Sequence, residues 1–292
     1  MATHQKTVLV TGGAGFIGTN LIERLAADSH IRVVSLDNYF TGLKENHIEG
    51  ATYIEGDTKD IFSHITEPVS IVYHLGEYPR VEQSFQDVRQ VWEYNSMGTF
   101  AVIEFCRQQG CKLIYAGSST KFADNGFGRH QSPYAWTKAT NSDLVKNYGD
   151  WYGLPYSIAY FYNVYGPRER SGEYGSVIQI FKEQYIKGGP LTVRMPGNQR
   201  RNFTHVNDIV QGLILIGEKG EREEYGLGSE ESHSILDIAN MFESEIEMIP
   251  NRPGNRIDSS IDTTTARALG WKAEHSIRDY IASIVRSRTQ VV

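Results

Sequence analysis

Apolar residues along the chain gather into short β-branched runs at 7–11, 32–37, 52–55, 70–75, 112–117 and 156–161, each ending in glycine, aspartate or a polar turn. Such runs read as buried strands. Between several of them the apolar spacing changes to a helical period. Leu21, Ile22 and Leu25 mark one apolar face after Gly18, and the stretches 88–109 and 132–152 are long enough for several turns. Strand and helix in alternation predict an α/β fold, a doubly wound parallel sheet of Rossmann type covered on both faces. After Asn163 the rhythm breaks. Gly166-Pro167, Gly188-Gly189-Pro190 and Pro196-Gly197 mark turns between shorter elements. The expected division is therefore a first domain over 1–163 and a smaller α/β substrate-binding lobe over 164–292, with the segment around 202–217 returning to the first domain. The cleft between the two is the expected ligand site.

The chain has 292 residues, 40% of them hydrophobic and 22% charged, with a net charge of −6. That composition excludes disordered and fibrous classes. The acidic balance argues against nucleic acid as a partner, since gripping a phosphate backbone needs a basic surface. No run approaches the roughly 20 apolar residues that span a bilayer, so no membrane partner is expected. Cys106 and Cys111 are the two cysteines. They make neither a disulfide framework nor a zinc site, so no metal and a reducing, cytoplasmic compartment are expected.

The first strand runs into Gly12-Gly13-Ala14-Gly15-Phe16-Ile17-Gly18 and then a helix. Glycines at 12, 15 and 18 permit the tight turn, let backbone approach a pyrophosphate, and let helix and strand pack closely. The helix N-terminus supplies free N–H groups and a partial positive charge. Asp37 closes the next strand, where it can accept from both ribose hydroxyls and repel a 2′-phosphate. NAD is therefore expected over NADP. Asp57, after the third strand, is placed to accept from the adenine amino group.

Tyr134 and Lys138 stand four apart in Ser132-Pro-Tyr-Ala-Trp-Thr-Lys138. With Ser132 as cap and Pro133 opening the helix, both project from one face of its first turns. An ammonium beside a tyrosine stabilises the phenolate and equips it as a base. Ser118, at the carboxyl end of the strand at 112–117, adds a hydroxyl that can orient a sugar oxygen beside Tyr134.

These motifs, together with His74-Leu75, Asn95 with Gly98-Thr99, Phe161-Tyr-Asn163-Val-Tyr-Gly-Pro-Arg168, Arg201-Asn-Phe-Thr-His-Val206 and Arg252-Pro-Gly254, resemble the extended short-chain dehydrogenase/reductase family, and within it the nucleotide-sugar 4-epimerases. The resemblance covers nearly the whole chain. It implies Ser118, Tyr134 and Lys138 as the catalytic set. It implies NAD held by Gly12, Gly15, Phe16, Ile17, Gly18, Asp37, Asn38, Asp57, Thr58, Leu75, Gly76 and Asn95, with Tyr134 and Lys138. A UDP-sugar is then expected against Arg80, Ser118, Ser119, Thr120, Tyr134, Asn163, Val177, Arg201, Arg252 and Ser259.

Sugar dehydratases of this family carry an Asp-Glu pair directly after the catalytic hydroxyl, where this chain has Ser119 and Thr120; the related decarboxylases usually carry a glutamate in that segment. What remains is 4-epimerisation through a transient 4-keto sugar. A 4-keto reductase, a 4,6-dehydratase and a sensor that binds NAD or a nucleotide sugar without turnover are the competing readings. In the 4-epimerases that the chain resembles, the bulk at the site seven residues beyond the diphosphate-binding arginine influences whether an N-acetyl group fits; the resemblance puts the small Ser259 there, which favours UDP-N-acetylglucosamine and UDP-N-acetylgalactosamine over UDP-glucose and UDP-galactose. Glu77 departs from the small residue usual there and is expected near the pyrophosphate, offset by Arg80. Lys121 and His130 are expected within reach of substrate, though His130 and His205 read more readily as structural or surface histidines. The stretch 88–109 is apolar around more than one face, as in helices buried on two sides; the resemblance implies that it forms a two-fold four-helix homodimer interface with the Tyr134 helix, burial within the monomer alone being the alternative.

Overall fold

The computed structural model describes residues 5–250 and 262–289. Seven strands form one sheet: β1 (Lys6–Thr11), β2 (Ile31–Asp37), β3 (Thr52–Glu55), β4 (Ile71–His74), β5 (Lys112–Ser118), β6 (Tyr156–Phe161) and β7 (Glu224–Leu227). Their order is β7-β6-β5-β4-β1-β2-β3, and every pairing is parallel. The chain leaves β1 toward β2 on one side and reaches β4 on the other. The carboxyl ends of β1 and β4 therefore open a crevice at the point where the strand order reverses.

Helices cover both faces because each presents one apolar stripe. On one face lie α1 (Phe16–Ala26), with Leu21, Ile22 and Leu25 buried, and α5 (Val206–Lys219), with Val206, Ile209, Val210, Leu213 and Ile216 buried. They share a core with Val8, Val10 and Ile71. On the other face α2 (Gly98–Gln109) and α3 (Pro133–Tyr152) bury Val102, Phe105, Val145 and Tyr148 against Leu9, Val72 and Leu113.

A third core, built on Phe181, Leu191, Val193, Ile238, Phe242 and Ile281, belongs to the later part of the chain. It gathers α4 (Val177–Lys187), the parallel pair Leu191–Arg194 and Ile246–Ile249, and the helix Ile277–Thr289. The antiparallel pair Arg200–Asn202 and Ser232–Ser234 lies in the same region of the sequence. His205 caps the start of α5 by accepting from the Asn207 N–H (3.2 Å) and stacks on His275, a structural role.

The stretch 88–109 is not one regular helix. It runs as Val88–Val91, a π-helical segment Trp92–Met97, and α2. The Asn95 carbonyl accepts from the Gly98 N–H within this stretch and also from Asn141 Nδ2 of α3, at 2.9 Å.

Candidate active site

A cleft of about 660 Å³ runs along the carboxyl edge of the sheet, from the loop after β1 to the start of α4. At its β1 end Gly12 has φ +71°, and a Cβ there would stand 2.8 Å from the Gly76 backbone. A side chain at Gly18 would collide with the Gly12 carbonyl. α1 then begins at Phe16 with no side-chain cap and no acidic residue in its first turn. Its N–H groups and positive end are left to the cleft, the arrangement that takes a diphosphate. Asp37 accepts from the Ala14 N–H (2.9 Å) and the Tyr39 N–H (2.8 Å), so it ties the loop to the end of β2. Burial pushes its carboxyl up, against the pull of those two N–H groups.

Phe16, Ile17, Asn38, Thr58, Leu75 and Gly76 join Gly12, Gly15, Gly18 and Asp37 in lining the cleft. Asp57 and Asn95 do not line it. The Asp57 carboxylate accepts from Asn38 Nδ2 at 2.7 Å. Asn95 is fully buried, accepting from the Tyr78 N–H and donating to Thr137, so it braces the chain after β4 against α3.

In the middle of the cleft stand Ser118, Ser119, Thr120, Tyr134 and Lys138. Ser118 is the last residue of β5, and its Oγ accepts from the Thr120 hydroxyl at 2.9 Å. Tyr134 is the second residue of α3. That helix starts where it does because the Ser132 hydroxyl accepts from the Ala135 N–H (3.0 Å) and Pro133 sets the first helical φ. The four-residue step to Lys138 puts both side chains on the sheet-facing side. Lys138 Nζ donates to the Ala116 carbonyl and to the Glu77 carboxylate.

Arg80, Asn163, Val177 and Arg201 also line the cleft. Arg80 donates to the Pro79 and Tyr174 carbonyls, while its Nε is buried without a hydrogen-bond partner. Burial works against its charge, with neighbouring Glu169 opposing. Asn163 holds a positive φ of 38° and donates to the Asn202 carbonyl at 2.9 Å. Arg252 and Ser259 lie outside the described residues.

Two expectations are corrected. Glu77 is not offset by Arg80; its carboxylate is taken up by Lys138, Thr99, Tyr115 and Asn141. Lys121 does not reach into the cleft: its ammonium is held by Glu224 (3.2 Å) and Asp143 (3.3 Å). The reading missed Glu169, Arg170 and Tyr174, which also line the cleft. Their only signal was position, a short way past the strand that ends at Phe161. Among the described residues no cluster of metal-binding side chains occurs, and no helix is long and apolar enough to cross a membrane.

A glycine loop on an open helix end, at the switch point of a seven-stranded parallel sheet, defines a Rossmann-type dinucleotide-binding protein with a Ser/Tyr/Lys cluster in the same cleft. The chain matches the NAD dependent epimerase/dehydratase family over residues 8–228 and belongs to it. Its cofactor is NAD. The chain is similar to UDP-glucuronic acid decarboxylase 3 of Arabidopsis thaliana, 28% identical over 299 residues that cover 93% of this chain and 86% of that one. Among solved structures it is similar to UDP-glucose 4-epimerase of Thermotoga maritima, crystallised with UDP-glucose, at 25% identity and a TM-score of 0.90; the match covers 98% of this chain and 100% of the other. It is likewise similar to UDP-glucose 4-epimerase of Thermus thermophilus, in complex with NAD, at 30% identity and a TM-score of 0.87 with the same coverage.

Proposed function

We propose that this enzyme is a UDP-sugar 4-epimerase that keeps its NAD through the catalytic cycle. The observation that carries the reading is the content of one cleft wall. Tyr134, Lys138 and Ser118 are together there, and the positions after Ser118 bear the hydroxyls of Ser119 and Thr120. Neither hydroxyl works as a general acid or base near neutral pH, which dehydration would require of that segment. Glu77, the carboxylate nearest Lys138, has its oxygens engaged by four donors and offers no free base to the sugar.

The chain's own groups then divide the work. Gly12, Gly15, Gly18 and the open end of α1 bind the diphosphate of NAD, and Asp37 takes the adenosine ribose. Bound NAD supplies a hydride acceptor and donor for carbon 4. Ser118 orients the 4-oxygen, and Tyr134 takes the 4-hydroxyl proton as the keto sugar forms. When the keto sugar has turned over, Tyr134 returns the proton to the same oxygen on the other face. Arg201 and Asn163, with Arg252, are assigned to the UDP end, and Val177 to the uracil. The preference for N-acetylhexosamines rests on Ser259 in the sequence.

A second copy of the chain is the proposed partner. Val88, Trp92, Met97 and Phe100 are about half exposed, and Trp136 beside them is stacked on Trp92 at 5.9 Å. An apolar face of this kind on the 88–109 stretch and α3 is what supports the two-fold helix packing proposed here.

The test is incubation of the purified protein, with no added cofactor, with UDP-N-acetylglucosamine and separately with UDP-glucose, reading products by proton NMR. The expected product is the 4-epimer, formed faster from the N-acetylated sugar. A 6-deoxy-4-keto product, or turnover only with added reduced nucleotide, would replace epimerisation with dehydration or reduction.

A further inference from the structure

Glu77 follows β4 by three residues, and its side chain is 3% exposed; that of Lys138 is 6% exposed. One carboxylate oxygen takes the Lys138 ammonium. The other accepts from the Thr99 hydroxyl of α2 (2.8 Å), the Asn141 amide of α3 (2.9 Å) and the Tyr115 hydroxyl of β5 (3.0 Å). Four donors from three elements engage the carboxylate, three on one oxygen and the Lys138 ammonium on the other. The orientation of Thr99 is fixed in turn. Because its hydroxyl donates to Glu77, it accepts from His74 Nε2 (2.9 Å), so His74 Nδ1 accepts from the Thr11 hydroxyl (2.7 Å). A chain of hydrogen bonds thus runs from Thr11 at the end of β1, through a neutral histidine, to the carboxylate that holds Lys138. Lys138 has little freedom of its own: it also donates to the Ala116 carbonyl and stands 4.8 Å over the Tyr115 ring.

We infer that Glu77 is a positioning residue of the reaction: it fixes the Lys138 ammonium beneath Tyr134 and offsets most of its charge. The inference rests on the reading of Tyr134 as the group that takes and returns the proton. A 4-epimerase uses one hydroxyl in both directions in every turnover. A bare buried cation would favour taking the proton and hinder its return, whereas a paired one leaves the two halves balanced. The buried carboxylate therefore suits an enzyme that oxidises and reduces the same carbon.

The other titratable groups around the pair are His74 at the end of β4, Tyr115 on β5, and Arg80 in the loop after β4 with Tyr78, Tyr174 and Glu169 near it. All are retained in the test. In Glu77→Gln holoprotein the lost negative charge leaves Lys138 unopposed. The tyrosinate absorbance of Tyr134, taken as the difference between each protein and its Tyr134→Phe counterpart, is expected to appear about one pH unit lower than in the wild type. The acid limb of the rate profile moves with it. A neutral exchange, Glu77→Gln with Lys138→Met, removes both charges and should return the onset close to the wild-type pH. Replacing a buried ion pair by neutral residues of similar size commonly preserves folding, so this double variant carries the test where the single one does not fold. An unmoved onset in folded Glu77→Gln, or an onset raised by about a unit or more in the double variant, overturns the inference. The absorbance reading needs no turnover, so failure of the epimerase reading and failure of this one are told apart.

Discussion

At the level of single residues, the account stands on Tyr134. Tyr134→Phe removes the hydroxyl proposed to carry the proton and nothing that shapes the phosphate loop. Turnover is expected to fall roughly 10²- to 10⁴-fold with NAD content unchanged, measured by initial rates and by nucleotide released on denaturation. Near-wild-type turnover would remove Tyr134 from the mechanism. Gly12→Ala tests the loop instead: with φ +71° and the Gly76 backbone 2.8 Å from the added carbon, the variant should purify with little NAD. His74 sets a pH dependence. Burial, with the Lys138 charge adding to it against Glu77, lowers its pKa from 6.5 to about 4. Between those values the unfolded chain binds the proton and the folded chain does not, so stability rises with pH. This contribution is complete above 6.5 and lost as the pH falls toward 4, and it amounts to roughly 3 kcal/mol. Urea unfolding across that window should show a steeper rise in the wild type than in His74→Asn, and equal slopes would contradict it. The glycines, Asp37 and the Tyr134–Lys138 pair were legible because their chemistry is local, set by spacing of a few residues. Glu77 was visible as a carboxylate among residues usually small. Its partners were not, because Thr99, Tyr115 and Asn141 come from three other elements.

Among the elements, α3 shows most directly how sequence places chemistry. Ser132 and Pro133 fix its first turn, Gly153 with φ +70° ends it, and both boundaries are readable from residue type. Ser132→Ala should cost about 1 kcal/mol of stability in urea unfolding and loosen the turn that aims Tyr134, so that kcat falls; unchanged stability would mean that the cap does not hold the helix start. The neighbouring 88–109 stretch was legible as helical and as apolar on more than one face. Its π segment was not, because the Asn95 carbonyl bond to Asn141 is a contact between helices. Trp92→Glu puts a charge into the proposed interface and should shift the protein to monomer in sedimentation velocity. A dimer of undiminished affinity would place the contact elsewhere.

In the molecule as a whole, six of the seven sheet strands could be read from apolar runs because buried parallel strands carry few polar positions. The seventh, β7, escaped notice. Its four residues, Glu224–Leu227, follow a highly charged turn, and only pairing with β6 makes them a strand. The later core was harder still, since short elements there are joined by turns and take their form from packing around Phe181 and Phe242. On the proposed reading, the cleft along the carboxyl edge of the sheet holds one NAD and one sugar, which pass a hydrogen back and forth without exchange with solvent. The most direct measurement of that claim uses a UDP-sugar carrying deuterium at carbon 4, incubated with the protein as purified and analysed by NMR. The account predicts the 4-epimer with deuterium retained at carbon 4. An epimer carrying protium there, or no epimer while NAD stays bound, would contradict it.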